Sequence, residues 1–349
     1  MKEAKKKVFW ALFSLLLAGL SIWAVMSQSR TMSLTKLWES LREADPKWIF
    51  AAVLCMLGFI YFEGAALLVI VRASGYRQNQ FSGLVYSASD IYFSAITPSA
   101  SGGQPASAYF MMKDGIPAGV TTAALIVNLI MYTLAILVIG VLSVILDAHV
   151  FLNFKMFPSK LLIIAGLVVL TGLLFGFFML LKHGRALFRV VNKIMVFLHK
   201  HHLLHHLEKK QKKLDKVVED YESCVSVTAG KTKALVLAFI FNLIQRLSQI
   251  LVSVMVYNAF YGPSKASVTV FVTQSMATIG SNCVPVPGAM GIADYLMLDG
   301  FKDILEAENA IHLEMMSRGI SFYICIVISG LTTILGYLIF KNKGRVKDK

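Results

Sequence analysis

The chain has 349 residues, 56% of them hydrophobic and 15% charged, with a formal charge of +14 at pH 7. Several apolar runs approach or exceed the roughly 20 residues that a helix needs to cross a bilayer, which excludes a soluble globular fold and predicts an integral membrane protein. Because Lys and Arg gather at the ends of these runs and in one loop, the positive charge indicates membrane topology and contact with anionic lipid, not nucleic acid.

The apolar runs predict an all-α polytopic fold in which residues 1–349 form a single integral membrane domain. Six full spans are predicted, at 8–26, 48–71, 118–146, 161–181, 234–258 and 319–340. Glu63 in the second span and Arg246 in the fifth are the only charged residues within these six. The first run is too long for a signal peptide and lacks a small-residue cleavage site, so we expect it to stay in the protein.

The distribution of basic residues predicts the orientation in the membrane. Lysines precede the first span, basic residues follow the last, and residues 182–233 hold twelve Lys or Arg against five acids. The positive-inside rule places all three regions, and therefore both termini, in the cytoplasm. The chain then divides into a first half at 8–181, a basic amphipathic cytoplasmic loop at 182–233, and a second half at 234–340.

Two apolar segments are interrupted by Pro, Gly and Ser. The first lies at 81–117 and contains ITPSASGGQPA; the second lies at 266–300 and contains PVPGAMGIAD. Non-helical backbone at membrane depth is tolerated only where protein covers its polar groups or where they line a wet cavity. We therefore predict two broken, re-entrant helical hairpins. The alternative is that both segments are kinks in ordinary spans, made to pack small residues closely.

Counting crossings places the two hairpins on opposite sides of the membrane. With both termini and 182–233 in the cytoplasm, the segment at 81–117 starts and ends inside, and the segment at 266–300 starts and ends outside. This is the topology of an inverted repeat, in which two hairpin tips meet near the midplane at a substrate site.

The hairpin tips supply candidate substrate-binding residues. Glycine lets backbone N–H groups approach a ligand closely, and a helix that begins after Gly and Ser is suited to bind an anion. The candidates in the first hairpin are Thr97, Ser99, Ser101, Gly102, Gly103 and Gln104. The candidates in the second hairpin are Asn282, Pro287, Gly288 and Asp294.

Charged residues within the apolar segments complete the candidate site, namely Glu63, Asp90 and Arg246. A charge at mid-bilayer costs at least ~2.5 kcal/mol, so an isolated one is not expected to face lipid. We expect these residues to face a central cavity, where Arg246 either forms an ion pair with Glu63 or binds a substrate phosphate beside Gln245 and Gln249. The alternative to substrate binding is a purely structural ion pair that holds two helices together. Weaker candidates are Asn128, Asn242 and Arg318.

The basic loop contains a stretch at 186–207 in which apolar and basic residues alternate at helical spacing, followed by five lysines at 209–216. This pattern is typical of an amphipathic helix on an anionic membrane surface. His201/His205 and His202/His206 have the i,i+4 spacing of helical zinc ligands. No Cys or carboxylate follows at a suitable distance, so we expect solvated histidines rather than a metal site.

The four cysteines of the chain are scattered, and we expect no cofactor.

The sequence contains no GxSxG, P-loop or HExxH motif. The loop of about fifty residues is too small and too charged to fold around an active site of its own. We therefore expect a protein that is not an enzyme.

Together, ITPSASGGQPA, PVPGAMGIAD and the hydropathy pattern resemble the transmembrane, flippase-like family of bacterial lysylphosphatidylglycerol synthases. This family forms the N-terminal membrane part of multiple peptide resistance factor and also occurs as stand-alone proteins. The resemblance covers about 8–340. It implies translocation of an anionic or aminoacylated phospholipid, such as lysylphosphatidylglycerol, or of a related lipid-linked substrate, across a bacterial plasma membrane, and resistance to cationic peptides.

The chain departs from this family in two respects. It has no counterpart of the family's C-terminal aminoacyl-tRNA-dependent transferase domain, so phosphatidylglycerol lysyltransferase activity is not expected. Asp294 stands where a Glu is expected after the second Pro-Gly motif, which leaves the identity of the lipid open.

The sequence therefore favours a lipid translocase built from two inverted halves, with an anionic membrane lipid as its substrate. Two alternatives remain open: a secondary transporter for a small soluble anion, and a membrane partner that docks a lipid-modifying enzyme through the basic segment at 183–223. The sequence leaves oligomerisation, direction of transport and energy coupling open.

Overall fold

The structure, a computed structural model, describes residues 42–97, 100–147, 149–183, 192–193, 195–196, 207–282, 291–302 and 304–347. This part of the chain is helical and contains no strand. The helices are α1 (Pro46–Ala73), α2 (Gln80–Ile96), α3 (Gly103–Lys113), α4 (Ala118–Leu146), the short α5 (Val150–Asn153), α6 (Phe157–Lys182), α7 (Leu207–Ala229), α8 (Thr232–Tyr261), α9 (Lys265–Ser281), α10 (Ile292–Phe301), α11 (Ala307–Arg318), a π-helical segment (Gly319–Ile324) and α12 (Cys325–Lys347).

Among the residues that the structure describes, five helical stretches are long and apolar enough to cross a membrane: Pro46–Ala73, Ala118–Leu146, Phe157–Met179, Thr232–Tyr261 and Glu308–Phe340. They correspond to five of the six predicted spans, and the all-α membrane fold is confirmed. The remaining predicted span, 8–26, lies outside the described residues. So does nearly all of 186–207, including the four histidines at 201–206, so the predicted surface helix stays a prediction.

The last span begins earlier than predicted. The sequence predicts a start at 319, because Glu314 and Arg318 interrupt the apolar run. In the structure α11 passes through the π-helical segment into α12 as one stretch, and Arg318 Nε lies 3.8 Å from Glu314 Oε1. These two charges are tolerated inside a span because they contact each other and a third polar group instead of lipid.

Both broken segments form antiparallel pairs of short helices. In the first, the Asp114 carboxylate beyond the end of α3 accepts hydrogen bonds from Ser82 Oγ (2.6 Å) and Tyr86 OH (2.7 Å) near the start of α2. In the second, α9 packs against α10, with Gly300 lying against Thr273 and Gly280 against Leu296. The shorter arms, α3 and α10, have 11 and 10 residues, and at about 1.5 Å per residue neither is long enough to cross a bilayer. The predicted breaks are therefore present, and kinked full spans are ruled out.

Each break has a local cause in the sequence. α2 is capped by Asn79, whose side chain accepts a hydrogen bond from Ser82 N (2.7 Å). It ends at Thr97, the residue before Pro98, a position where α-helical backbone is disfavoured. α3 then begins at Gly103 with Pro105 in its first turn, where proline's missing N–H has no helical partner. α10 starts after Gly291, whose φ of 79° suits glycine.

The same order of elements occurs twice. A long helix, a pair of short arms and a closing span appear as α1, α2–α3 and α4, and again as α8, α9–α10 and the stretch α11–α12. The first arms, α2 and α9, have 17 residues each. We refer to these sets as the first and second units.

The contacts between the units are reciprocal. α1 and α8 run antiparallel, since Asp45 N donates to Ala259 O at one end (2.9 Å) while Gly58 faces Ser248 further along. α2 packs on α12 of the second unit, and α9 packs on α4 of the first. This exchange is what two units related by an approximate two-fold axis would produce. Their opposite orientation in a membrane, and so the inverted repeat itself, stays a prediction.

Helix α7 follows the basic stretch and packs on the protein. Its apolar stripe, Leu214, Val217, Val218, Tyr221 and Val225, joins the apolar cluster formed by the first unit, and Tyr221 is fully buried. Gly119 of α4 lies so close to the backbone of α7 at Val217 and Tyr221 that a Cβ there would overlap it. The apolar face of α7 is therefore covered by protein. By contrast, α6 exposes Leu161, Val168 and Phe175, as expected of a lipid-facing span.

Candidate functional site

A cavity of ≈ 660 Å³ lies between the two units. Its walls come from corresponding elements of both units: α1 and α8, the arms of the two broken pairs, α4, and the stretch α11–α12 with its π-helical segment. The predicted convergence of the two broken pairs on one pocket is therefore present in the described residues. The lining combines amides, hydroxyls and charges with an apolar wall that includes Phe59, Met297 and Ile326.

Two carboxyl groups, Glu63 of α1 and Asp90 of α2, line the cavity. They are 7% exposed each and are called the acidic pair below. Glu63 Oε2 accepts a hydrogen bond from Gln245 Nε2 (3.1 Å), and Asp90 Oδ2 accepts one from Gln104 Nε2 (2.6 Å). The two carboxyl groups also interact with each other electrostatically.

Arg246 of α8 lines the same cavity as the acidic pair without bonding to it. Its guanidinium lies over the ring of Tyr132, 3.9 Å from the centroid, and its Nη1 donates a hydrogen bond to Gln249 Oε1. It forms no ion pair with any carboxylate of the described residues, and its buried Nε has no hydrogen-bond partner among them. The direct pairing with Glu63 that the sequence left open is thus not made, and the guanidinium keeps an unused donor at the cavity.

A second charged cluster is formed by Asp294, Glu314 and Arg318, and of these three residues Arg318 lines the cavity. Arg318 Nε lies 2.7 Å from Asp294 Oδ1 and 3.8 Å from Glu314 Oε1. Asp294 Oδ2 also accepts a hydrogen bond from Gly291 N (2.9 Å), which caps the start of α10. This cluster therefore joins α10 to α11 and neutralises much of its own charge.

The predicted site residues fall into three groups. Those that line the cavity are Glu63, Asp90, Gln104, Arg246 and Asn282. Described residues that do not line it are Thr97, Ser101, Gly102, Gly103 and Asp294. Ser99, Pro287 and Gly288 lie outside the described residues.

Several residues of the second group shape the first break. Thr97 Oγ1 donates to Phe93 O (2.6 Å) and accepts from Gly102 N (2.9 Å), which closes the turn between α2 and α3. Gly103 lies directly against Asp90, because an added Cβ would overlap Asp90 Oδ1 and Ser94 Oγ. The absence of a side chain at Gly103 therefore lets α3 approach the acidic pair closely.

Sequence reasoning missed several lining residues: Tyr132, Ser253, Gln274, Thr278, Ser317 and Ser321. One signal could have identified some of them. On α8, Arg246, Gln249 and Ser253 are spaced i, i+3, i+7, and on α9 Gln274, Thr278 and Ser281 are spaced i, i+4, i+7. Such spacing places polar side chains on one helix face. Of the weaker candidates, Asn128 and Arg318 line the cavity, while Asn242 donates to Asn128 Oδ1 behind it (3.0 Å).

The donor set is suited to an anion next to a group that carries protons. A guanidinium and neighbouring amides donate hydrogen bonds to phosphate oxygens, and a buried carboxyl pair binds protons or a cation. Within the described ranges, no three His, Cys, Asp or Glu side chains are grouped as metal ligands would be.

Comparison with known proteins gives one result that covers most of the chain. The family model described as "Lysylphosphatidylglycerol synthase TM region" matches residues 11–329. Comparison with curated proteins and with solved structures gave no match. Since the family model covers nearly the whole chain, the protein belongs to the lysylphosphatidylglycerol synthase transmembrane-region family.

Proposed function

We propose that this protein translocates an anionic or aminoacylated phospholipid, lysylphosphatidylglycerol or a related lipid-linked substrate, between the leaflets of a bacterial plasma membrane. The observation that carries the proposal is the buried Arg246 guanidinium, which has an unused donor in a polar cavity between two broken helix pairs. Family membership supports a membrane role related to this lipid.

The barrier that such a protein must lower is the transfer of a charged headgroup through hydrocarbon. An unpaired charge in an apolar medium is very costly, while a cavity with fixed donors and acceptors replaces its water shell. Arg246 and Gln249 bind the phosphate in this proposal, and Gln274, Thr278 and Asn282 of the second unit solvate the rest of the headgroup. The acyl chains remain in the bilayer beside the protein.

The two broken pairs provide the means of alternating access. The positive-inside rule predicts that the two pairs enter the membrane from opposite faces. Opening of one pair then admits the headgroup from that side of the membrane only. The proposal contains no chemical step, so the lipid leaves the protein with the structure it had on entry.

Leaflet exchange in liposomes tests the proposal. The purified protein is reconstituted with fluorescent phosphatidylglycerol or lysylphosphatidylglycerol, and a membrane-impermeant quencher reports exchange between leaflets. Arg246→Ala removes the guanidinium, and Gly103→Ala places a methyl group against Asp90. The matched control is Gly172→Ala on α6, where an added Cβ meets nothing within 4 Å.

Wild type and Gly172→Ala should exchange lipid. Arg246→Ala should be slower by at least about tenfold, as expected from losing hydrogen bonds to a charged group. Gly103→Ala should also be slower, because its methyl group overlaps Asp90 and Ser94. Site variants as fast as wild type would rule out this site. Uptake of a soluble organic phosphate without lipid exchange would favour the small-anion transporter. Exchange that requires an added lipid-modifying enzyme would favour the docking subunit.

A further inference from the structure

We propose that the acidic pair is a proton-binding site, and that binding an anionic headgroup at Arg246 is linked to uptake of one proton, so that lipid and proton cross together. This inference rests on the proposed function and adds the coupling ion to it. It starts from the burial of Glu63 and Asp90 in the lining of one cavity, not from the cavity as a whole.

The burial of the acidic pair favours binding of a proton. Both carboxyl groups are buried, line one cavity and have no ion pair with a cation in the described residues, so keeping both ionised is costly. Two adjacent buried carboxylates also repel each other strongly, and such pairs characteristically share one proton. The hydrogen bonds from Gln245, Gln104 and Ser94 fix the two groups in this arrangement.

The surrounding ionisable groups do not replace that proton. Those that interact with the acidic pair from the neighbouring elements are Arg246 on α8, Tyr132 on α4 and Cys325 on α12. Tyrosine and cysteine add no positive charge, and Arg246 lies over Tyr132 without an ion pair to either carboxylate. The pair with one proton carries −1, the guanidinium carries +1, and the unliganded site is neutral.

A phosphate changes this balance. When the phosphate of an anionic lipid such as phosphatidylglycerol binds Arg246, the site acquires a charge of −1 in a buried cavity. Taking one proton from water restores neutrality by converting the second carboxylate to a carboxylic acid. By linkage, an anion that promotes proton binding is itself bound more tightly when the proton is present. One proton enters with each phosphate and leaves with it on the other side.

The second charged cluster provides an internal contrast. There, Arg318 is bonded to Asp294 and lies near Glu314, so both carboxyl groups have a cation beside them. The proposal therefore assigns coupling to the acidic pair and not to Asp294 and Glu314.

A pH gradient across the liposome membrane is the first test. Wild-type protein should accumulate labelled phosphatidylglycerol in the leaflet on the alkaline side, approaching about tenfold for one pH unit with one proton per lipid. Asp90→Asn should abolish this accumulation, and Asp215→Asn, at an exposed position on α7, should retain it. Protein-free liposomes correct for passive movement of the protonated lipid.

The outcomes separate the inference from the proposed function. Rapid exchange with equal leaflet populations under the gradient would overturn proton coupling and leave lipid translocation standing. Accumulation retained in Asp90→Asn would overturn the assignment to the acidic pair. Absence of exchange by wild type would contradict the proposed function.

Infrared spectroscopy tests the shared proton independently of transport. The detergent-purified wild type at neutral pH should show a carboxylic-acid C=O stretching band that grows when ether-linked short-chain phosphatidylglycerol, which has no ester carbonyl, is added. Asp90→Asn and Glu63→Gln should each lose this lipid-dependent growth, while Asp215→Asn should keep it. A wild-type spectrum in which added lipid leaves the band unchanged would refute the linkage.

Discussion

Two charged clusters, Glu63, Asp90 and Arg246 in one and Asp294, Glu314 and Arg318 in the other, contain the same groups in different arrangements. Each has two carboxyl groups and one arginine. Among the described residues Arg318 is bonded to Asp294, while Arg246 is held over Tyr132 and hydrogen-bonds only to the amide of Gln249. An arginine that is ion-paired with a carboxylate links two helices. An arginine that is held over an aromatic ring can still form an ion pair with a ligand. The comparison indicates that the role of a buried charged residue follows from its interaction partners more than from its burial alone.

Replacing each arginine with glutamine should have the largest effect and separate the two roles. Arg246→Gln should slow leaflet exchange by at least about tenfold, because the phosphate loses its charged donor. Arg318→Gln should instead destabilise the protein by ~1–3 kcal/mol, less than for a fully buried pair because Asp294 is partly exposed. Exchange rate and thermal unfolding in detergent are measured for both. The reverse pattern, with Arg318→Gln slowing exchange in a stable protein, would contradict this division.

Gln249→Ala should have the next largest effect. Gln249 is the hydrogen-bonding partner that orients Arg246, and losing this bond costs ~1 kcal/mol, or about fivefold in affinity. We expect a higher lipid fraction at half-maximal exchange, with the maximal rate largely retained. Gln211→Ala, at a residue of α7 away from the cavity, is the control. An unchanged half-maximal lipid fraction would show that Gln249 does not position Arg246.

Tyr132 tests whether the aromatic face holds the guanidinium. Tyr132→Leu removes the ring and should slow exchange about threefold, as expected for a cation–π contact of ~0.5–1 kcal/mol. Tyr132→Phe keeps the ring and should match wild type. Equal exchange rates for the Leu and Phe variants would refute the role of the ring.

Glu314→Gln should have the smallest effect on proton coupling. Glu314 lies outside the acidic pair, so lipid accumulation under a pH gradient should stay at the wild-type level, in contrast to Glu63→Gln. The same liposome measurement compares the two variants. Loss of accumulation in Glu314→Gln would extend the coupling site to the second charged cluster.

The fold was largely predictable where backbone chemistry is local. Proline and glycine act on their own turn of the chain, so the sequence located the break between α2 and α3. The start of the last span was placed too late, because the sequence does not show that Glu314 and Arg318 contact each other inside the protein.

The candidate site was less predictable, because side-chain partners come from distant parts of the chain. Glu63, Asp90 and Arg246 were identified from the cost of a charge inside an apolar segment, and all three line the cavity. Asp294 has the same signal but caps α10 and bonds to Arg318. Tyr132 carries no such signal, since an aromatic residue in a span is ordinary until a cation is placed over it.

The central claim is that a lipid headgroup binds between the two broken helix pairs. An experimental structure of the protein with short-chain phosphatidylglycerol tests it most directly. The account predicts phosphate density within hydrogen-bonding distance of Arg246, with Gln104 and Gln274 on either side and the acyl chains leading out to the bilayer. Lipid bound only on the outer helix faces, with the cavity filled by water alone at saturating lipid, would contradict it.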